Sequence, residues 1–186
     1  MLKERVIVVD ADALIPILSC DFLLTGLDLA MLQLAVTPML LDQMERHLLS
    51  DFPTHDSAKL AARAERVRFT LRNHIVADNP PTREVEAVNV RDRHVAMAAI
   101  TSSASVVVTN DRRLRGQLRK AIPELSPMSA DELAVDLLRR DRESVTAILS
   151  AMADRRTRPP ITVDELVASL ARSWPTFGER WTDQYV

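Results

Sequence analysis

The sequence predicts an α/β protein built on a parallel sheet. Short β-branched apolar runs occur before about residue 126, among them RVIVV at residues 5–9 and SVVVT at residues 105–109. Stretches with helical spacing of apolar residues separate these runs, and such alternation is typical of parallel α/β folds. Only three glycines occur in 186 residues, while Ala, Leu and Arg are abundant, which favours a helix-rich chain over a β-sandwich.

Composition sets broad limits on the class of protein. Hydrophobic residues make up 47% and charged residues 27%, enough for one domain with a core and a small appendage. The single Cys20 cannot form an internal disulfide, and the charged N-terminus lacks a signal-peptide pattern, so we expect a cytoplasmic protein. The most apolar window, residues 22–41, is interrupted by Asp28, Gln33 and Pro38, which argues against a membrane span. The net charge of −2 gives no overall attraction to nucleic acid.

The first predicted element is a buried parallel strand at residues 5–9, which ends in Asp10. A short helix follows, and Pro16 bends or ends it. Pro38 suits the first turn of a later helix. The other elements predicted in this half are helices at residues 21–33, 39–49 and 54–74 and short strands at 34–37 and 75–77.

A helix–strand unit at residues 93–109 brings two aspartates together. A helix over residues 93–104 rises about 18 Å, and a strand over residues 105–109 returns about 17 Å. The two lengths nearly cancel. Asp92 and Asp111 are therefore expected at the same end of the fold.

A change of organisation is predicted after residue 126. Asp111 caps a helix at residues 112–121, and Pro123 and Pro127 follow it. Beyond them, capping-box patterns begin at Ser129 and Thr162, each with a glutamate three positions later. We expect an α/β domain over residues 1–126 and a C-terminal helical extension over residues 127–186, in which helices occupy about residues 130–139, 144–155 and 163–172.

Carboxylates follow two of the predicted parallel strands. Asp10 ends the first strand and Asp111 the last, so their ends lie side by side if the strands are neighbours. Two unit charges 4 Å apart repel by about 4 kcal/mol at an effective dielectric of 20. Acids gathered in one cleft therefore need a cation or a shared proton, and oxygen ligands of this kind suit Mg²⁺ or Mn²⁺.

Basic residues flank these acids and could hold phosphates beside them. Such a cation can polarise a phosphoryl oxygen and lower the pKa of a bound water, which phosphodiester hydrolysis requires. A basic rim would bind nucleic acid despite the net charge. The rim residues are Arg91, Arg93, Arg112, Arg113 and Arg115.

Each of these residues also has a purely structural interpretation. An aspartate after a strand is commonly a helix cap, and an Arg-rich helix face is commonly just solvated. His94 stands two residues after Asp92 and would point away from it in a regular helix, so we interpret it as structural. The combination of acids, and no single one of them, supports a catalytic site.

Four segments in this order resemble the PIN-domain nucleases, and more closely the VapC-type toxins of bacterial toxin–antitoxin modules. The matching segments are VIVVDADAL, LLDQMERHL, RDRHVAMAA and VVVTND, which together span residues 5 to about 120. The helical tail resembles that of a VapC-type subgroup with a C-terminal extension. The resemblance implies a three-layer α/β/α fold with a mostly parallel sheet. It also implies a Mg²⁺- or Mn²⁺-dependent endoribonuclease, often neutralised by a small antitoxin and often dimeric.

The resemblance also assigns roles residue by residue. The metal-binding and catalytic acids become Asp10, Glu45, Asp92 and Asp111, and only the resemblance brings Glu45 to the site. Thr109 matches a hydroxyl residue often found two positions before the last acid. Asp12 stands where Asn is common in the family, and it either joins the metal shell or orients Asp10. Asn110 lies between matched positions and could contact substrate or a metal-bound water.

The leading hypothesis is thus a metal-dependent endoribonuclease, the toxin of a toxin–antitoxin pair. Asp10 and Asp12 after an apolar strand also suggest a phosphatase of the haloacid dehalogenase type, although Ala13-Leu14 replaces the usual Gly-Thr. A third hypothesis is a non-catalytic PIN-like interaction protein. Trp174, Phe177 and Trp181 would align only if a helix continued through Pro175 and Gly178. They either anchor the tail to the core or form part of an antitoxin or dimer contact.

Overall fold

The computed structural model describes residues 5–183, apart from the side chain of Glu84. It contains one sheet of four parallel strands in the order β2-β1-β3-β4. The strands are β1 (Val6–Val9), β2 (Gln33–Ala35), β3 (Val106–Val108) and β4 (Ser126–Met128). The N-terminal residues that bear on the signal-peptide expectation lie mostly outside the described part of the chain.

Each face of the sheet carries its own hydrophobic core because successive strand residues point to opposite sides. Ile7 and Val9 of β1 belong to one core, and Val8 belongs to the other. Helices cover both faces, so the predicted three-layer α/β/α arrangement with a parallel sheet is confirmed. Helices α5 (Arg93–Thr101) and α6 (Arg112–Ala121) cover the Val8 face.

The opposite face carries most of the helices. They are α1 (Ala11–Leu14), α2 (Ile17–Asp28), α3 (Pro38–Ser50), α4 (Ser57–Leu71), α7 (Ala130–Arg140), α8 (Arg142–Asp154), α9 (Val163–Ala171) and α10 (Pro175–Thr182). Pro38 occupies the first turn of α3, as predicted, and both capping boxes form at Ser129 and Thr162. Within residues 5–183, no helix combines the length and the apolarity needed to cross a membrane.

The sequence did not predict strand β4. It pairs with β3 in parallel and spans the expected domain boundary after residue 126. Pro127 lies in this edge strand, where its missing N–H costs no ladder hydrogen bond. The outward Pro127 carbonyl accepts a hydrogen bond from the Arg119 guanidinium at 2.9 Å. The strand expected at residues 75–77 is reduced to one bridge, which joins Ile75 to Val36.

The C-terminal helices pack on the same core as the N-terminal ones. The Phe22 ring on α2 meets Trp174 edge to face, with centroids 5.3 Å apart. Helix α10 does run through Pro175 and Gly178, because Pro175 occupies its first turn and needs no N–H partner there. The buried rings of Trp174, Phe177 and Trp181 therefore anchor the tail to the core.

Gly178 sets how closely α10 can approach α9. A Cβ at this position would lie 2.4 Å from the Cβ of Ala171. We expect Gly178→Ala to lower the free energy of unfolding by about 1–3 kcal/mol through overpacking. Gly116→Ala on α6 is the matched control, because nothing lies within 4 Å of its added Cβ; it should stabilise by about 0.5–1 kcal/mol. Urea unfolding of both variants tests this, and equal effects would contradict the close approach.

Candidate active site

The carboxyl ends of β1 and β3, which precede Asp10 and Asp111 in sequence, lie side by side. These strands pair in parallel, and the Asp10 N–H donates to the Val108 carbonyl at 2.9 Å. Asp10 is 8% exposed. One of its oxygens accepts a hydrogen bond from the Ala11 N–H at 2.7 Å and caps α1. The predicted side-by-side placement of the two strand ends is therefore present in the fold.

A hydrogen-bond network ties Asp12 to the loop after β3. The Asn110 N–H donates to both oxygens of Asp12, at 3.0 and 2.9 Å. The buried Thr109 hydroxyl donates to Asp12 at 3.3 Å and accepts from the Asp111 N–H at 3.2 Å. The same hydroxyl group also lowers the pKa of Asp10. Asp12, Thr109 and Asn110 are thus brought together, and they hold the loops that carry Asp10 and Asp111.

Asp92 differs from the other two aspartates in that its side chain does not cap a helix. It occupies the position before α5 without a capping hydrogen bond. Asp111, in contrast, caps α6 with one oxygen, which accepts from the N–H groups of Arg113 and Leu114. The structural interpretation as a cap therefore holds for one oxygen each of Asp10 and Asp111. It does not account for Asp92.

Burial and mutual repulsion raise the pKa of these carboxyl groups. Desolvation, the nearby charge of Asp12 and that of Asp92 raise the pKa of Asp10 from 3.8 to about 7, although hydrogen bonds from Thr109 and Ala11 oppose the shift. Burial also raises the pKa of Asp12. The pKa of Asp92 is raised by burial and by the charge of Asp111. Burial, together with the neighbouring carboxylates, thus disfavours the ionised form of all three groups.

Glu45, the fourth acid expected at the site, is held by an arginine of the neighbouring helix. It lies on α3, where its carboxylate accepts two hydrogen bonds from Arg68 of α4, at 3.0 and 2.7 Å. Its partner is 23 positions away in sequence and on another helix, so no local pattern indicates the pair.

The side chains do not form a ready-made metal cage. In the part of the chain that the structure describes, no three His, Cys, Asp or Glu side chains converge as a metal-binding group. Asp12 is turned toward the Asn110 N–H, and Asp111 commits one oxygen to α6. The donor chemistry still fits Mg²⁺, which often takes one or two carboxylates and keeps several waters. Asp10 and Asp92 are the pair that suits such an ion.

The five arginines expected to contact phosphates fall into two groups. Arg91, Arg112 and Arg113 are exposed, and the charges of Arg113 and Arg91 lower the pKa of Asp92. Arg93 donates to the carbonyls of residues 88 and 86, at 3.0 Å each. Arg115 donates to the Thr109 carbonyl at 2.9 Å. The first group can therefore face a ligand, whereas the second holds loops in place.

Comparison with known proteins identifies a relationship in the C-terminal segment. Residues 130–181 match the family model of the VapC50 C-terminal domain. No curated protein and no solved structure matches the chain. The family match connects the C-terminal helices with VapC-type toxins, and the candidate site residues lie outside the matched segment.

Proposed function

We propose that this chain is a divalent-metal-dependent endoribonuclease that hydrolyses RNA phosphodiester bonds. The observation that carries the proposal is the buried Asp10 carboxyl group, whose pKa is raised to about 7 by burial and by the charges of Asp12 and Asp92. Such acids at the carboxyl edge of a parallel sheet are suited to a hard cation. The match of the C-terminal helices to the VapC50 C-terminal domain supports the same class.

In this proposal Asp10 and Asp92 hold Mg²⁺ or Mn²⁺, and Asp111 contributes its second oxygen. When bound, the ion would stabilise charge on the phosphate oxygens as a Lewis acid. Asp12, Thr109 and Asn110 position the loops that carry these acids. For Glu45 to join the site, its carboxylate would release the Arg68 guanidinium and bind the metal ion instead.

The exposed arginines supply a local electrostatic attraction to RNA, which the net charge of −2 does not provide. Arg91 and Arg113 lie close enough to Asp92 to lower its pKa. In the proposal they hold the RNA phosphates beside the acids, with Arg112 at the outer rim. Contacts of this kind position the backbone without reading its sequence.

The same proposal includes partners. The four segments resemble those of VapC-type toxins, and residues 130–181 match the VapC50 C-terminal domain. On these grounds we propose that the protein is the toxin of a toxin–antitoxin pair. A small antitoxin protein would neutralise it, and a homodimer is the proposed assembly. A cytoplasmic location follows from the RNA substrate.

The phosphatase alternative receives no support from the position of Asp12. A phosphatase of that type would use Asp10 as a nucleophile and would need a free acid two residues later. Asp12 instead accepts two hydrogen bonds from the Asn110 N–H. The nuclease is therefore the stronger proposal.

Cleavage of total RNA by the purified protein, with Mg²⁺ or Mn²⁺ and with EDTA, tests the function. We expect cleavage only with the metal. Asp92→Asn should lower the rate at least about 100-fold, since the lost carboxylate supports several kcal/mol of transition-state stabilisation. Asp154→Asn, an exposed carboxylate at the end of α8, is the control and should cut normally. Full activity of Asp92→Asn, or cleavage in EDTA, would overturn the proposal. An intact fold that binds no Mn²⁺ in calorimetry would support a non-catalytic protein.

A further inference from the structure

A cavity of about 480 Å³ opens between the start of α3 and the start of α5. Thr37, which follows the end of β2, lines it on one side. Arg91 and His94, on either side of Asp92, line it on the other. The cavity therefore lies at the carboxyl edge of the sheet, and Arg91 and Arg93, the sequence neighbours of Asp92, both line it.

Two hydrogen bonds from adjacent residues hold the wall formed by residues 77–81. The Asp78 carboxylate accepts from the Met39 N–H at 3.0 Å, which ties this wall to the first turn of α3. The Asn79 amide donates to the Thr101 hydroxyl at 2.9 Å, which ties it to the end of α5. Pro80 and Pro81 follow directly and restrict the backbone further. The cavity is thus shaped before any ligand enters.

Apolar side chains line the mouth of the cavity and are left in contact with water. Met39 is 43% exposed and Val90 is 73% exposed. Pro80 and Pro81 add two apolar pyrrolidine rings. A surface of this kind suits the face of a planar, aromatic ligand.

The polar groups of the cavity lie deeper. Gln43 and His94 hydrogen-bond each other at 2.8 Å through Oε1 and Nε2. Among the hydrogen bonds of the described residues, none uses the amide nitrogen of Gln43, which is half-buried and free to donate. Arg91 stands exposed at the rim and adds a positive charge. The cavity therefore offers apolar walls, one donor and a cation.

We infer that this cavity binds one unstacked nucleobase of the RNA strand, adjacent to the phosphate that is cut. The inference rests on the proposed function and names the specificity pocket of that site. Single-stranded RNA is commonly read through splayed bases that pack on side chains and bond through their edges. The free donor of Gln43 suits a base with a carbonyl or ring-nitrogen acceptor, and Arg91 suits the attached phosphate. The positive charge of Arg91 at the rim favours an RNA strand over an apolar side chain of a protein partner.

Fluorescence of 2-aminopurine tests the pocket apart from catalysis. The probe replaces each base in turn of a short single-stranded RNA, and wild-type protein is added in EDTA. One position should change its emission much more than the others. The Met39→Ala/Val90→Ala variant should lose that response and bind the RNA about tenfold more weakly, as expected for one lost stacking contact. The Leu49→Ala/Phe69→Ala variant removes exposed apolar surface elsewhere and should match the wild type.

Cleavage products provide the second readout. On RNA of random sequence with Mg²⁺, the wild type should prefer one base near the cut, and the pocket variant should lose that preference. An unchanged preference, an equal response at all probe positions, or an absence of RNA binding would each overturn the inference. Position-specific binding without any cleavage by the wild type would leave the pocket standing and would instead contradict the proposed nuclease.

Discussion

Asp10→Asn is expected to abolish RNA cleavage while making the metal-free protein more stable at pH 8. The substitution removes a proposed metal ligand, so the rate should fall at least about 100-fold. It also removes a buried charge. An Asn side chain can still accept from the Ala11 N–H and can contact the Thr109 hydroxyl, so the local hydrogen bonds survive.

The sign of the stability change follows from the raised pKa of Asp10. In the unfolded chain this group ionises near 3.8, whereas in the folded protein it ionises near 7. The contribution of Asp10 to the stability of the wild type is therefore lost as pH rises from about 4 to about 7, because ionisation of this group favours the unfolded chain. A shift of about three pKa units corresponds to about 4 kcal/mol. The charges of Asp12 and Asp92 contribute to this shift. We therefore expect the free energy of unfolding of Asp10→Asn to exceed that of the wild type by about 2–4 kcal/mol at pH 8 and to be almost equal to it at pH 4.

Urea unfolding in EDTA at pH 4, 6 and 8 measures this difference. Asp154→Asn removes an exposed carboxylate and should follow the wild type at every pH. The buried-charge argument would be contradicted if the difference in the free energy of unfolding between Asp10→Asn and the wild type did not grow between pH 4 and pH 8. Its cleavage rate is read separately, with Mg²⁺ present.

Phe177→Ala is expected to produce the largest loss of stability, about 3–5 kcal/mol. The ring is fully buried between Trp174 and Trp181, with centroids 6.0 Å from each. Its removal leaves a cavity in the core that α10 shares with α2 and the sheet. The same residue change at Phe69, which is 65% exposed, should cost less than about 1 kcal/mol.

Denaturation followed by two probes reports on the coupling between the two halves of the chain. Tryptophan fluorescence reports on Trp174 and Trp181, and far-ultraviolet circular dichroism reports on all helices. Since the C-terminal helices share the core of the sheet, both signals should shift together in Phe177→Ala. An early fluorescence transition, with most helix signal retained, would show that the tail unfolds as a separate unit.

Local patterns were sufficient to predict most of the elements that carry the candidate site. β-branched runs predicted β1 and β3, and parallel strands necessarily bring Asp10 and Asp111 to one edge. Matching the lengths of α5 and β3 placed Asp92 at that edge, and its charge does raise the pKa of Asp10. These predictions succeed because strand and helix periodicity and rise per residue depend on nearby residues alone.

Interactions between distant parts of the chain could not be predicted in this way. Glu45 is a helix residue of suitable type, yet Arg68 on the next helix binds it. The Arg93 and Arg115 side chains look like rim cations in sequence, but carbonyls of nearby loops hold them. Strand β4 was missed because Pro127 argues against a strand unless that strand is known to lie at an edge.

The sequence by itself determined the α/β class, the helix caps and the placement of Asp10 and Asp111 after neighbouring parallel strands. Only the tertiary structure decided the state of those acids: Asp10 buried, Asp12 tied to Asn110, and Asp92 free of any cap. It also decided that the C-terminal helices share the core and that a cavity opens between the starts of α3 and α5. The physical reason is that burial, charge coupling and cavity shape depend on which surfaces pack together, and long-range contacts set that packing.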